Sequence, residues 1–207
     1  MQKNSSQSLN SSLLGVVLNG GKSRRMGRDK STLATRDGSV FLDVATQRFD
    51  GVCGQLVLSV GADNTTLQTK ETLQIIRDRH VGCGPLGGIS SCINHALAHG
   101  FEACFFTPID MPFLTRKHLL RLRDEWISSP KRIACAFNES RSSIEPLFSI
   151  IPTSFKHAIE QSIHCSRLSV EGWITEHRPL SVPIDASALK NINRPKDYDG
   201  IRVTNAQ

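Results

Sequence analysis

The residues best suited to chemistry are a group of cations that follows two adjacent glycines near the start of the chain. After Gly20 and Gly21, nine residues hold five basic side chains: Lys22, Arg24, Arg25, Arg28 and Lys30. Adjacent glycines let the backbone turn sharply and bring its N–H groups close to phosphate oxygens. Positive charges at this density repel one another unless an anion neutralises them. The segment therefore predicts a polyphosphate site.

Two familiar phosphate-binding motifs do not explain this segment. A Walker A loop that ends in Gly21-Lys22-Ser23 would need glycine at position 16, which is Val16. The G-x-G-x-x-G pattern of dinucleotide-binding loops is also absent here. A solvated basic loop after a glycine turn is the structural alternative. The coincidence of glycines, cations and the end of an apolar run favours phosphate binding.

A second candidate is Asp110, which follows the apolar run Ala103–Ile109 and precedes Met111-Pro112. Open α/β sheets bind ligands at the carboxyl ends of their strands, where this run would place the carboxylate. A carboxylate there suits Mg²⁺, which prefers hard oxygen ligands and commonly bridges phosphates. The structural alternative is an aspartate that caps a proline-flanked turn.

Glycines also precede the clearest amphipathic helix pattern in the chain. Ile89, Cys92, Ile93, Ala96 and Leu97 share one helical face after the segment Gly84–Gly88. The N–H groups at such a helix start point outward and can contact an anion or a base. A simple helix-entry turn remains the alternative.

The elements that must position these residues alternate between apolar runs and helix-period segments. This pattern predicts a three-layer α/β/α domain over residues 13–207 with a mostly parallel, Rossmann-like sheet. Residues 1–12 are polar and predict a disordered tail. Strands are predicted at 13–18, 56–60, 75–76, 103–109, 133–137, 147–151 and 182–185. Helices are predicted at 40–49, after Gly88, after a Thr115 cap and after a Thr153 cap.

Composition narrows the class of protein. The chain has 207 residues, a net charge of +6 and six scattered cysteines without metal-knuckle spacing. Buried reduced thiols and a cytoplasmic location are therefore expected, with no membrane partner. The basic charge permits nucleic-acid binding, but aromatic residues are not interleaved with the cations, so no nucleic-acid partner is expected. The seven histidines have no ligand spacing, Trp126 and Trp173 are expected in the core, and no hydrolase motif is present.

Taken together, these motifs carry a family resemblance. Residues 18–30 (LNGGKSRRMGRDK) resemble the signature L-x-G-G-x-S-x-R-M-G-x-D-K of the molybdenum cofactor guanylyltransferases. These enzymes lie within the wider nucleotidyltransferases of glycosyltransferase-A-like fold. Further matches follow in the same order: Asp78, Gly84–Ile89, Pro108–Pro112, Glu145–Phe148 and Asn191–Pro195.

The resemblance implies a role for each matching residue. Lys30, Asp110 and Arg25 would be catalytic: Lys30 neutralises the leaving pyrophosphate, Asp110 holds Mg²⁺, and Arg25 contacts the β- and γ-phosphates. Asn191 and Asn193 would complete the metal or pterin-phosphate site, with turn chemistry as the alternative. The residues assigned to the nucleotide are Leu18, Asn19, Gly20, Gly21, Lys30, Ser59, Asp78, Gly84, Pro85 and Leu86.

The implied reaction is Mg²⁺-dependent transfer of GMP from GTP to molybdopterin-bound molybdenum cofactor, releasing pyrophosphate, with molybdoenzyme chaperones as further partners. One alternative is a cytidylyltransferase of the same fold that acts on this cofactor or on a sugar or polyol phosphate. Another is a non-catalytic carrier, which would not need Lys30 and Asp110 together. The chain departs from the family pattern at Asn19 (usually Ala), Ser59 (often Asn) and Glu145 (usually His).

Overall fold

The computed structural model describes residues 11–19, 40–62 and 73–192. Its strands are β1 (Leu13–Asn19), β2 (Gln55–Val60), β3 (Gln74–Arg77), β4 (Ala103–Pro108), β5 (Ala134–Asn138), β6 (Ser143–Pro152) and β7 (Leu180–Pro183). Its α-helices are α1 (Phe41–Gln47), α2 (Gly84–Ala98), α3 (Arg116–Ile127), α4 (Lys156–His164) and α5 (Val170–Glu176). In these ranges no helix is long and apolar enough to cross a membrane.

The seven strands form one sheet in the order β3-β2-β1-β4-β6-β5-β7. Strand β6 is antiparallel to both of its neighbours, and every other pair is parallel. The chain builds outward from β1 to β2 and β3, and then returns to place β4 on the other side of β1. The order therefore reverses between β1 and β4, where open α/β sheets bind their ligands.

Alternation along β1 explains how the sheet divides the core into two layers. Leu13 and Val17 face the cluster that contains α1 and α3, whereas Leu14, Val16 and Leu18 face the cluster around α2, α4 and α5. Successive side chains of a strand point to opposite faces, so a run that is apolar throughout requires cover on both sides. The predicted three-layer α/β class with a mostly parallel sheet is confirmed.

All seven predicted strands are present, but several details of the predicted helices are wrong. Helix α2 begins at Gly84, so Gly87 and Gly88 lie inside it rather than before it. Leu97 is half exposed, since it lies about 100° around the helix from the buried Ala96. Thr153 caps no helix, because its hydroxyl donates to the Glu102 carbonyl.

Other predictions concern single residues and short elements. Trp126 and Trp173 are buried as expected. Cys92, Cys104 and Cys135 are buried thiols, whereas Cys165 is exposed, contrary to expectation. Helix α5 was not predicted, because only its three apolar residues Val170, Trp173 and Ile174 mark it within a short polar stretch.

Gly15 allows β1 to lie close to the segment that follows α1. A Cβ atom at this position would lie 2.6 Å from Cys53 Sγ, 2.9 Å from Leu56 Cδ1 and 3.0 Å from Phe49 Cδ1. These separations are shorter than carbon and sulfur atoms tolerate. The glycine therefore sets the packing distance between the central strand and the α1 layer.

We expect Gly15→Ala to lower the free energy of unfolding by about 1–3 kcal/mol, the usual cost of overpacking a core. Chemical denaturation would measure it. Gly61→Ala is the matched control, since a Cβ there meets no atom within 4 Å. Equal stabilities of the two variants would contradict the packing argument.

Candidate functional site

The candidate site lies where the sheet order reverses, at the carboxyl ends of β1 and β4. Leu18 pairs with Pro108 at the end of this ladder, so Asn19 and Asp110 follow at neighbouring strand ends. The Nδ2 atom of Asn19 is buried and has no hydrogen-bond partner in the described structure, and the same is true of the Oγ1 atom of Thr107. Unsatisfied buried polar atoms are costly and commonly mark a place where a ligand or water binds.

The turn that carries Asp110 is tied to two other parts of the chain through its backbone. The Ile109 amide donates to the Leu18 carbonyl at 3.1 Å. The Ile192 amide donates to the Asp110 carbonyl at 2.9 Å, which brings the exposed Asn191 next to this turn. The backbone of Asp110 is thus fixed from β1 on one side and from the 191–192 segment on the other.

Arg48, at the carboxyl end of α1, binds the backbone of the same turn through its side chain. Its Nη1 donates to the Met111 carbonyl at 2.8 Å and its Nη2 donates to the Pro108 carbonyl at 2.9 Å, while Nε donates to Ala45. The side chain is only 4% exposed. Burial lowers the pKa of Arg48 to about 9, although the negative charge of Asp110 acts in the opposite direction. The guanidinium therefore remains charged at neutral pH.

A second carboxyl group, Glu145 of β6, lies near Asp110. Burial, followed by the negative charge of Asp110, raises the pKa of Glu145 to about 7, whereas Arg141 lowers it. Because β6 is antiparallel, with Ser149 opposite Phe106, its first residues run toward the same edge of the sheet as Asp110. The Cys135 thiol donates to the Glu145 carbonyl at 3.3 Å and fixes the backbone there.

A separate polar cluster lies on the α2 face, at the ends of β2 and β3. Ser59 is buried, and one carboxylate oxygen of Asp78 is buried with no hydrogen-bond partner among the described residues. A Cβ at Gly88 would lie 2.9 Å from Asp78 Oδ1 and 3.0 Å from Ser59 Oγ. Gly87 similarly has no room for a Cβ, which would lie 2.9 Å from the His80 carbonyl oxygen. The paired glycines let α2 pack directly against this polar cluster.

The structure brings two groups of the sequence-predicted residues together. Asn19, Asp110 and Asn191 converge at the β1–β4 edge, while Ser59 and Asp78 meet beside α2. The side chains of Leu18 and Leu86 are buried in the core, so only their backbones could contact a nucleotide, whereas Gly84 and Pro85 are exposed. The predicted residues outside the described ranges are Gly20, Gly21, Arg25, Lys30 and Asn193.

Sequence reasoning missed Arg48 and recognised Glu145 only as a departure from the family pattern. The signal for Arg48 was a lone charge between the apolar residues Ala45 and Phe49. No local pattern indicates that its partners lie about sixty residues further along the chain. The proximity of Glu145 to Asp110 depends on the reversed direction of β6.

A family model and a curated relative both match most of this chain, and both point to the same group of enzymes. The family model described as "MobA-like NTP transferase domain" matches residues 15–179. A relative from Rhodopirellula baltica, named "Probable molybdenum cofactor guanylyltransferase", is 31% identical, and the match covers 89% of each chain.

Two solved structures share the fold. Molybdopterin-guanine dinucleotide biosynthesis protein A from Archaeoglobus fulgidus superposes with a TM-score of 0.71 at 22% identity, covering 90% of this chain and 95% of the other. A Mycobacterium tuberculosis protein, solved in complex with manganese, superposes with a TM-score of 0.58 at 18% identity, covering 90% of this chain and 96% of the other.

Burial raises the pKa of Asp78 to about 6, so this carboxyl group makes stability depend on pH. The unfolded chain releases this proton near pH 4, whereas the folded protein retains it to higher pH. The contribution of Asp78 to stability therefore falls as pH rises between about 4 and about 6. We expect Asp78→Asn to raise the melting temperature relative to wild type by more at pH 7 than at pH 4, without nucleotide or metal.

Melting curves across this pH range would measure the difference, with Asp50→Asn, at an exposed aspartate, as the matched control. A constant difference between Asp78→Asn and wild type would contradict the assignment.

Proposed function

The chain belongs to the MobA-like NTP transferase family and is a nucleotidyltransferase; on this premise we propose that it transfers GMP from GTP to molybdopterin-bound molybdenum cofactor. The products would be the guanine dinucleotide form of the cofactor and pyrophosphate. A molybdoenzyme chaperone would then receive the product. The name of the Rhodopirellula baltica relative supports this choice of substrates.

The observation that carries the proposal is the position of Asp110. It follows the central strand β4 at the point where the strand order reverses, next to the end of β1. The glycine-rich basic segment Gly20–Lys30 continues directly from β1 in the sequence. A triphosphate bound by that segment would therefore begin next to the carboxylate of Asp110.

The residues present fit a hard divalent cation such as Mg²⁺. Asp110 and Glu145 supply oxygen donors. Burial is the main cause of the raised pKa of Glu145, and the negative charge of Asp110, which a cation would offset, adds to it. Within the described ranges no group of three or more His, Cys, Asp or Glu side chains could enclose a metal. Asp110 would hold Mg²⁺ together with substrate phosphates and water, the usual arrangement for this ion. The structural neighbour from Mycobacterium tuberculosis was solved in complex with manganese, which supports including a divalent cation in the proposal.

GMP transfer would require positioning and charge neutralisation more than a general base, since the acceptor phosphate is already anionic. Asp78 and Ser59 would orient the nucleotide on the α2 face, and Asn19 would contact its base or ribose. Lys30 and Arg25 would neutralise the leaving pyrophosphate, and Asn191 and Asn193 would orient the pterin phosphate. When bound, Mg²⁺ would supply further neutralisation of the phosphate oxygens.

Nucleotide selectivity tests the choice of base. We expect Mg-GTP to raise the melting temperature more than Mg-CTP or Mg-ATP at equal concentration, because the nucleotide with the lowest Kd stabilises the folded state most. A ligand at 100 times its Kd stabilises the folded state by about 2.7 kcal/mol. A thermal-shift assay measures this directly. Selective stabilisation by CTP would replace the guanylyl proposal with the cytidylyl alternative.

Asp110→Ala tests the metal site. We expect it to lower pyrophosphate release from GTP in the presence of molybdopterin cofactor by at least about 100-fold while the fold is retained, since it removes preorganised charge from the reacting phosphates. Lys30→Ala should mainly lower turnover. Asp124→Ala, at an exposed position on α3, is the control. Full activity of Asp110→Ala would eliminate Asp110 from the site.

A further inference from the structure

Arg48 is unusual because it is a buried cation that makes no hydrogen bond to a carboxylate of the described residues. Each of its three guanidinium nitrogens donates to a backbone carbonyl, at Ala45, Pro108 and Met111. Burying a charge in this way is expensive, and an apolar side chain of similar volume would fill the space at lower cost. The interaction therefore calls for an explanation beyond packing.

Its two terminal nitrogens bind carbonyls on either side of Ile109 and Asp110. The Pro108 carbonyl precedes Asp110 by two residues and the Met111 carbonyl follows it by one, so the planar fork spans the turn that carries the carboxylate. This geometry is specific to arginine, since a lysine ammonium has no rigid fork for two diverging acceptors. Amide bonds from Ile109 and Ile192 complete the attachment of the turn.

Arg48 also places a buried positive charge close to the carboxylate of Asp110. The negative charge of Asp110 acts on both Arg48 and Glu145. A fixed cation that contacts the carbonyls of this turn offsets the negative charge of Asp110. Its geometry and its charge thus act on the same residue.

We propose that Arg48 is a positioning residue, which holds Asp110 in a metal-binding orientation through the Pro108 and Met111 carbonyls. This inference rests on the proposed function only for the identity of the reaction. The attachment of the turn and its effect on a bound divalent cation are properties of the protein without substrate.

The test compares Arg48→Lys, which keeps the charge, with Arg48→Met, which removes the charge and both carbonyl contacts. We expect Arg48→Met to bind Mn²⁺ about 10–100-fold more weakly, measured by electron paramagnetic resonance on the full chain, as is usual when outer-shell support of a metal ligand is lost. Arg48→Lys should lie between Arg48→Met and wild type. Hydrogen exchange of the Ile109 and Ile192 amides should accelerate in both variants.

In the GMP-transfer assay, kcat should fall while KM for GTP stays within about twofold, because the nucleotide-orienting residues are untouched. Arg132→Met is the matched control, since Arg132 also donates to a backbone carbonyl, that of Arg178, away from the site. It should change none of these measurements.

The outcomes separate the two proposals. A wild-type protein that binds Mn²⁺ but transfers no GMP would overturn the proposed function and leave Arg48 testable by metal affinity and amide exchange. Unchanged exchange at Ile109 and Ile192 in both variants would overturn the attachment by Arg48. Faster exchange with unchanged Mn²⁺ affinity would overturn the positioning of Asp110, as would a wild-type protein that binds no Mn²⁺.

Discussion

Leu18 of β1 and Pro108 of β4 meet at the end of a parallel ladder whose side chains are buried on both faces. The ladder fixes the spacing of two strand ends. The strand order of the sheet reverses between these two strands. Both polar strand ends, Asn19 and Asp110, owe their positions to this one pairing. Helices cover both faces of the sheet, so polar ligands would reach it at the strand ends.

The functional edge concentrates groups whose charge or polarity is costly to keep away from water. Asp78 and Glu145 both have pKa values raised chiefly by burial, and the pKa of Arg48 is lowered by burial. Perturbed groups of this kind cluster at functional sites, where a ligand supplies the missing partner. Asp78 and Glu145 lie at the edge that the strand order identifies, and Arg48 contacts the turn there.

The sequence was informative where structure depends on local pattern and uninformative where it depends on distant contacts. Apolar runs revealed both central strands, and the end of one run located Asp110. The glycine pair at 87–88 was recognised, but its purpose is a close approach to Asp78 and His80 that only the packed helix reveals. Arg48 could not be predicted, because its acceptors at Pro108 and Met111 lie 60 and 63 residues away.

The reversed direction of β6 has a consequence for divergence within such a fold. Parallel strands reach the functional edge with their final residues, whereas β6 reaches it with its first, directly after the short turn at Glu139–Ser142. The irregular register after Cys135 shows that this end of β6 already accommodates extra residues opposite β5. Insertions there would reshape this part of the edge while the β1–β4 ladder stayed unchanged. This part of the edge can therefore diverge without disturbing the paired ends of β1 and β4.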